Sequence, residues 1–255
     1  MTTVYPSWVR VLAPIVVGLL GLTLWVVYVD VLGAAPRMLP SPFAIVEEFI
    51  KRWDIIWSAM TITATNALVG LAAGAIIAIV LAGIAASFRS FDGMLAPIVA
   101  AVAVIPIVAL TPILNTMFGA SSQFGRQAVA AIAAFVPVFI NVLRGLRQTR
   151  PVHRDLMRVS AATPGQSFRV LTLPTALPYL MTGLRIASSV AVIAALVAEY
   201  FGGPADGIGT SIATYAKSGR ASLAFAYVIG AIAIGLTLFL VTSALERVVS
   251  RRKPV

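Results

Sequence analysis

The residue types that most often carry enzyme chemistry are scarce in this sequence of 255 residues. It has no cysteine and a single histidine, His153, so disulfides, thiolate nucleophiles and histidine-rich metal centres are excluded. The phosphate-binding loop that ends in Gly-Lys-Ser/Thr is also absent, because none of the lysines Lys51, Lys217 and Lys253 follows a glycine. The chain is therefore expected to bind no cofactor or metal, and any ATP chemistry must come from another chain.

The one acidic residue that could lie inside an apolar segment is Glu199, beside Tyr200. A carboxylate within a membrane is a candidate for function. At the end of its segment, however, interfacial water is expected to reach it, which favours a structural or interfacial role. Proton-coupled transport usually needs ionisable groups in several spans, and an intramembrane hydrolase needs paired acids or a serine with a histidine. The sequence instead favours a pathway driven from outside the bilayer.

The composition indicates a chain that lies mostly within a membrane. Hydrophobic residues make up 60% of the sequence and charged residues 11%, and the mean hydropathy is +0.97. Soluble domains carry about 25% charged residues, so a water-soluble globule is excluded. A membrane span needs about 20 mostly apolar residues. We predict an all-α membrane protein in a single domain, residues 1–255, with six transmembrane helices near residues 9–31, 55–86, 94–117, 127–143, 178–200 and 223–245.

The first of these segments has a second interpretation, because Gly33-Ala34-Ala35 offers small residues at which a signal peptide could be cleaved. Its apolar run is longer than the 7–15 residues usual in signal peptides, and only Arg10 precedes it. A retained span is therefore favoured.

The distribution of basic residues predicts the orientation. Once the six spans are drawn, the side that holds the N-terminus carries most of the arginines, and the opposite side carries as many acids as bases. The net charge of +10 then lies on the cytoplasmic side, which predicts that both termini lie in the cytoplasm. Nucleic-acid binding, which the pI of 10.9 could suggest, needs a basic face on a soluble fold and is excluded. Attraction to anionic membrane lipid remains a hypothesis.

Polar and small residues within the spans favour close helix packing. Asn66, Gly70 and Gly74 recur every four residues, which puts them on one helix face, and small residues let another helix approach. Packing is favoured there over a substrate-lining role. Pro97, Pro106 and Pro112 predict kinks in the third span. The candidate pathway residues are polar groups in or near the bilayer: Thr65, Asn66, Asn115, Asn141 and Ser189.

The longest cytoplasmic segment covers about residues 144–177 and is rich in arginine. Its pattern predicts two short helices, at residues 151–159 and 164–171, with Thr163 as N-cap of the second and Pro164 at its first position. Pro174 and Pro178 are expected to end this part before the fifth span. Apolar side chains among the arginines fit either an amphipathic segment on lipid or a socket for a soluble partner, and the socket is favoured.

This segment resembles the coupling loop of bacterial ABC importer permeases, which reads Glu-Ala-Ala, three residues, Gly, nine residues, Ile-x-Leu-Pro. Aligned on Leu171-x-Leu173-Pro174, the family's glycine falls on Ala161 and its glutamate on Asp155. Leu156 and Met157 replace the two alanines. Asp155 keeps the negative charge, but alanine adopts a left-handed conformation less readily than glycine, so the turn is expected to be built differently.

Two further stretches resemble one branch of these permeases, those for nitrate, sulfonates such as taurine, and pyrimidine precursors of thiamine. The first is Leu-Pro-Ser-Pro at residues 39–42, followed by a short amphipathic helix. The second is Ala-Glu-Tyr-Phe-Gly at 198–202 with Gly-Ile-Gly at 207–209. The tail at 245–247, Leu-Glu-Arg, is similar as well.

The resemblance implies the type I ABC importer permease fold, with six spans and a cytoplasmic pair of coupling helices. It also implies a homodimer, two ATPase subunits that carry ATP and magnesium, an extracytoplasmic solute-binding protein, and no catalytic residue in this chain. The coupling residues it points to are Asp155, Met157, Arg158, Ala161, Thr163, Pro164, Gln166, Phe168 and Arg169. The alternatives are a self-sufficient ion-coupled transporter or channel, which would be expected to contain inverted repeats, and a membrane anchor without a transport role.

Overall fold

The computed structural model describes residues 7–33, 39–119 and 121–251, which form eleven helices joined by turns. Helix α1 (Ser7–Val26) continues as a wide turn over Val27–Val31, and the two together are long and apolar enough to cross a membrane. Most of the residues of α1 are exposed. The helix contacts the rest of the bundle near its C-terminal end, where the ring centroids of Trp25 and Phe225 are 6.2 Å apart. Both chain termini and the residues Ala34 and Ala35 lie outside the described residues, so the predictions about them stay predictions.

Helix α2 (Pro42–Lys51) is the short amphipathic helix expected after the first span, and α3 (Trp53–Ser87) is the second span. At about 1.5 Å per residue, α3 is about 52 Å long, so it extends beyond a bilayer core of about 30 Å. Asn66, Gly70 and Gly74 are all buried on it, and a methyl group at either glycine would collide with Ala130 or Ala131. The helix-packing interpretation is therefore confirmed for the two glycines.

The third predicted span is wrong as a single helix. Helices α4 (Arg89–Val104) and α5 (Ile107–Phe118) meet at a bend of 95°. Together they are long and apolar enough to cross a membrane, but only as one broken span. The cause is Pro106, which has no N–H to donate and disfavours a helical backbone in the residue before it. Ile105 is accordingly extended, with ψ at 124°. The predicted kink is thus present but far sharper than expected.

Helix α6 (Phe124–Arg147) is the fourth span, and α7 (Pro151–Val159) has the predicted bounds. The next helix differs from the prediction. A single α-helical turn, α8 (Pro164–Ser167), runs through a wide turn over Phe168–Thr172 into α9 (Leu173–Tyr200), so the chain is one continuous helix from Pro164 to Tyr200. Pro174 and Pro178 lie inside it and do not end it. Widened turns of this kind relieve a helix in which proline has removed a backbone hydrogen bond.

The last two helices are α10 (Gly207–Lys217), a short helix after the fifth span, and α11 (Ala221–Arg251), the sixth span. Helices α3, α6 and α9 pack together at the centre, and α11 lies against α9. Their shared core is built largely from alanine. Small side chains let helices approach closely in a membrane, where packing rather than the exclusion of water drives association.

Candidate functional sites at the two ends of the bundle

The end of the bundle where α3 and α6 begin and α9 finishes is called the outer end here, after the predicted orientation. Glu199 is buried there, with 1% of its surface exposed. Its carboxylate accepts hydrogen bonds from Thr63 Oγ1 at 2.8 Å, the Gly209 N–H at 3.0 Å and Asn66 Nδ2 at 3.3 Å. The expected access of interfacial water is therefore wrong, whereas a structural role fits, because these hydrogen bonds join α9 to α3 and to the segment after α9.

The segment that follows α9 closes over Glu199 because it contains glycines. A Cβ added to Gly207 would lie 2.6 Å from Glu199 Cδ, and the φ of Gly207 is +82°, which strains any other residue. The N–H of Ile208 donates to Thr63 Oγ1 at 2.9 Å. Backbone hydrogen bonds thus hold the chain after Tyr200 against the Glu199 carboxylate and Thr63.

A second buried charge, Arg126, faces the same segment from the start of α6 and is fully buried. It forms an ion pair with Asp206 Oδ1 at 2.6 Å, donates to Thr210 Oγ1 at 3.1 Å, and donates to the carbonyl oxygens of Gly202 and Pro204. Sequence reasoning missed this role and treated Arg126 as an ordinary outer charge. The available signal was an arginine beside an alanine-rich span, together with the glycine run at residues 202–209.

Side-chain amides join the two buried charges. Asn66 donates to Gln123 Oε1 at 2.9 Å and accepts from Gln127 Nε2 at 3.2 Å, while Gln123 donates to Asp206 Oδ2 at 2.8 Å. We call these side chains the outer polar cluster; it consists of Thr63, Asn66, Gln123, Arg126, Gln127, Glu199, Asp206 and Thr210. A buried polar network of this kind specifies a single arrangement when its members are satisfied. The cluster ties α3, α6 and α9 to the segment before α10.

The predicted pathway residues fall in separate places. Thr65 and Asn66 line a polar pocket of about 230 Å³ with Gln123 and Gln127. Asn115 is buried against Gly125, whose added Cβ would lie 2.6 Å from Asn115 Oδ1.

Asn141 lies on α6 about 25 Å from Gly125, at about 1.5 Å per residue. Its side-chain amide donates to the Pro137 carbonyl at 2.7 Å. The chain neighbours of Asn141 and Ser189 line an apolar cavity inside the bend between α4 and α5. The structure therefore joins Thr65 to Asn66 but does not unite the five residues.

At the opposite end, which we call the loop end, helix α7 and the turn after it lie on the surface. The apolar side chains Val152, Leu156 and Val159 are exposed, Val159 by 86%. Asp155 and Arg158 form an exposed ion pair at 3.2 Å, which is worth little to stability. Of the nine predicted coupling residues, Met157 is half-buried and the other eight are exposed. Their role in coupling stays a prediction.

The turn between α7 and α8 contradicts the expectation for Ala161. Its φ is +52°, so alanine adopts the left-handed conformation for which the family uses glycine. The N–H groups of Ala161 and Ala162 donate to the carbonyls of Arg158 and Met157 at 3.0 Å each, the usual closure of a helix by a left-handed residue. Thr163 is confirmed as N-cap, with a reciprocal pair of hydrogen bonds to Gln166.

A bundle of membrane-spanning helices with an exposed helix-turn-helix at one end defines the class of permease subunits of ABC importers. The crystal structure of an amino acid ABC transporter matches with a TM-score of 0.63 and 17% identity, over 80% of this chain and 96% of that one. The inward-facing MetNI methionine ABC transporter matches at a TM-score of 0.59. These likenesses show the fold.

Sequence comparisons show the family. Residues 74–254 match the model described as binding-protein-dependent transport system inner membrane component, and the chain belongs to this family. The formylaminopyrimidine transport permease ThiX of Halalkalibacterium halodurans is 31% identical over 194 residues, 76% of this chain and 77% of that protein. The riboflavin permease RibX of Chloroflexus aurantiacus is 30% identical over 247 residues, 96% of this chain and 91% of that protein.

Other relatives are named as permeases for aliphatic sulfonates, bicarbonate and nitrate. The predicted family, its branch and the fold are thus confirmed. The chain is a multi-pass membrane protein and a transport component of an ABC import system.

Proposed function

We propose that this chain carries a small polar solute across the bacterial cytoplasmic membrane, as a homodimer with the pathway on its two-fold axis. Two ATPase subunits would bind the loop end, and a solute-binding protein would meet the outer end. The relatives named for formylaminopyrimidine, sulfonates, bicarbonate, nitrate and riboflavin support a polar solute. ATP and magnesium would reside on the ATPase.

The exposed helix-turn-helix is the observation that carries the proposal. Apolar side chains such as Leu156 and Val159 are exposed beside arginines on a short, capped helix, which is a costly arrangement on a surface that stays in water. A protein surface of this composition is typical of a contact with another protein. Asp155, at its centre, offers a charge for the ATPase to recognise.

The helix from Pro164 to Tyr200 gives the proposed motion a mechanical route. It joins Phe168, in the coupling segment, to Glu199, in the outer polar cluster, without a break. When ATP closes the two ATPase subunits, a displacement of the loop end would move α9 as one body, together with α6, which packs along it. Transport would follow from a shift in population between inward- and outward-facing states.

The proposed orientation is testable because the chain has no cysteine. Ser160, at the loop end, and Ser218, in the exposed turn between α10 and α11, can each be changed to a single cysteine. A maleimide that cannot cross membranes should label the cysteine at 218 in intact cells and the cysteine at 160 only after lysis. Labelling in the opposite order would overturn the orientation.

The ATPase contact is tested by Asp155→Lys. Reversal of this exposed charge should abolish co-purification of the ATPase while the permease still inserts, because the side chain makes no contact that holds the fold beyond its surface pair with Arg158. Unchanged co-purification would remove Asp155 from the contact.

The pathway and the rival transport class are tested together in vesicles. Uptake should require ATP, the ATPase and the binding protein, whereas an ion-coupled transporter or channel would move solute through this chain alone along a proton or sodium gradient. Replacement of the five candidate pathway residues by alanine should lower uptake while ATPase binding stays intact. Unchanged uptake would remove them as pathway residues; they are Thr65, Asn66, Asn115, Asn141 and Ser189.

A further inference from the structure

A cavity of about 440 Å³ lies at the loop end, enclosed by the last turns of α3, the last turns of α6 and the start of α9. It extends from Ser87 to Ile79 along α3 and from Thr172 to Leu180 along α9, about 12 Å in each case at about 1.5 Å per residue. Its volume is in the range of sites that hold small molecules. It belongs neither to the polar pocket at the outer end nor to the cavity at the α4–α5 bend.

The two ends of this cavity differ in chemistry. The deep part is lined by aliphatic side chains, among them Ile79, Val142 and Leu180. The mouth is polar, with Ser87, Thr149 and Arg154. The whole lining contains no acidic residue. This lining is complementary to an occupant that is apolar at one end and carries an anionic group at the other.

Arg154 is available for such a group. Its Nε donates to Thr149 Oγ1 at 2.7 Å, and within the described residues it has no acidic partner, since its neighbour Asp155 pairs with Arg158. The mouth lies at the end of α3, on the loop side of the bundle. Basic pockets between membrane helices suit the phosphate of an anionic lipid.

Space for an acyl chain is visible at Gly83. A Cβ added to this glycine would meet no atom within 4 Å, although the residue sits between the packed helices and lines the cavity. The glycines of α3 that serve packing behave differently, since Gly70 and Gly74 are in contact with α6. Gly83 therefore leaves room that no side chain fills within the described residues.

We infer that this cavity is a binding site for one anionic phospholipid, with an acyl chain between α3, α6 and α9 and the phosphate at Arg154. Charge complementarity selects the occupant, because the mouth carries a cation, the lining has no acid and the remaining side chains are mostly aliphatic. Phe168, one of the predicted coupling residues, lines the same cavity, so a bound lipid would contact the segment that connects the loop to α9. Lipid binding does not depend on the proposed transport function or on the orientation of the chain.

Native mass spectrometry tests the site on the full-length permease and on its complex with the ATPase. Each is purified in mild detergent with an equimolar mixture of phosphatidylglycerol and phosphatidylcholine. The wild-type chain should retain one phosphatidylglycerol in both preparations. Gly83→Leu, which fills the cavity, should lose it. Gly235→Leu is the matched control, since a Cβ there also meets no atom within 4 Å but lies outside the cavity.

The charge is tested by Arg154→Gln, which keeps a donor for Thr149 but removes the cation, against Arg247→Gln, an exposed arginine on α11. Retention should fall about tenfold in the first and stay unchanged in the second. Equal retention of phosphatidylcholine, or full retention by Gly83→Leu, would overturn the inference. Loss of the lipid on assembly would also overturn it, by showing that the ATPase or a second copy of the chain covers the cavity.

Discussion

At the outer end of the bundle, Arg126 and Glu199 are buried and each finds its partners within the chain, whereas the charges of α7 at the loop end are exposed and weakly paired. The apolar residues show the reverse pattern of exposure. Ile208, at the start of α10, is buried at the outer end, whereas Val159 on α7 is exposed. The outer end is thus built to hold its own chain in one arrangement. The loop end, under the proposed function, would meet the surface of another protein.

The same secondary structure element joins these two regions, which gives the difference a mechanical meaning. Because α9 is continuous with α8, the proposed displacement of the loop end would reach the outer polar cluster through a single helix. A rigid outer cluster would then respond as a unit. Substitutions at the outer end should therefore lower the stability of the chain. Substitutions of the exposed side chains of α7 should weaken partner binding while leaving stability unchanged.

The largest expected effect is that of Arg126→Met. Arg126 is fully buried but its partner Asp206 has 36% of its side chain exposed, so the loss should be smaller than for a fully buried pair, about 1–3 kcal/mol. The carbonyls of Gly202 and Pro204 would also lose their donor. The measurement is the free energy of unfolding in mixed micelles.

Arg220→Met is the control for that substitution. Arg220 is exposed at the same end and lies over the Tyr215 ring at 5.2 Å, an interaction worth about 0.5–1 kcal/mol at such sites. Equal losses in the two variants would show that the outer end is not held by Arg126.

A smaller loss is expected from Gly207→Ala. The substitution strains a left-handed backbone, which costs about 1–2 kcal/mol, and also pushes against the carboxylate of Glu199. Gly219→Ala separates the two contributions, since Gly219 has a φ of +74° and open space around it. Unfolding in micelles should show a larger loss for Gly207→Ala. If the two variants lose the same amount, Glu199 does not fix the segment.

At the loop end, Val159→Ser is expected to change the unfolding free energy by less than about 0.5 kcal/mol, as is usual at exposed sites. It should weaken ATPase binding about tenfold, which corresponds to about 1.4 kcal/mol. Titration of the ATPase onto the reconstituted permease measures the second effect. Val248→Ser, an exposed valine on α11, should leave binding unchanged. Equal weakening by both would place the contact elsewhere.

The smallest effect is expected from Ala161→Gly, which relieves the left-handed alanine by about 1 kcal/mol. Amide hydrogen exchange in α7 should slow about fivefold, the factor that corresponds to this free energy. Ala162→Gly, at the next residue, has no positive φ to relieve and should not slow exchange. Slower exchange in both variants would show that the turn is not strained at Ala161.

Much of the architecture could be predicted because it depends on local properties of the chain. The six apolar segments follow from the length a bilayer demands, and α7 and the cap at Thr163 follow from residues within one helical turn. The prediction failed where neighbouring elements decide the outcome. Pro106 was expected to kink a helix and instead bends the chain by 95°. The second short helix was expected to end near Leu171 and instead continues through Pro174 to Tyr200.

The sequence by itself determined that the chain spans a membrane and belongs to a transport family, because hydropathy, charge distribution and loop motifs are properties of composition and order. Only the tertiary structure decided the pairing of Arg126 with Asp206 and of Glu199 with Thr63, since these partners are distant in sequence and meet only when α3, α6 and α9 pack. It also decided the cavity at the loop end. A space between three helices depends on how they pack, and no single segment of sequence encodes it.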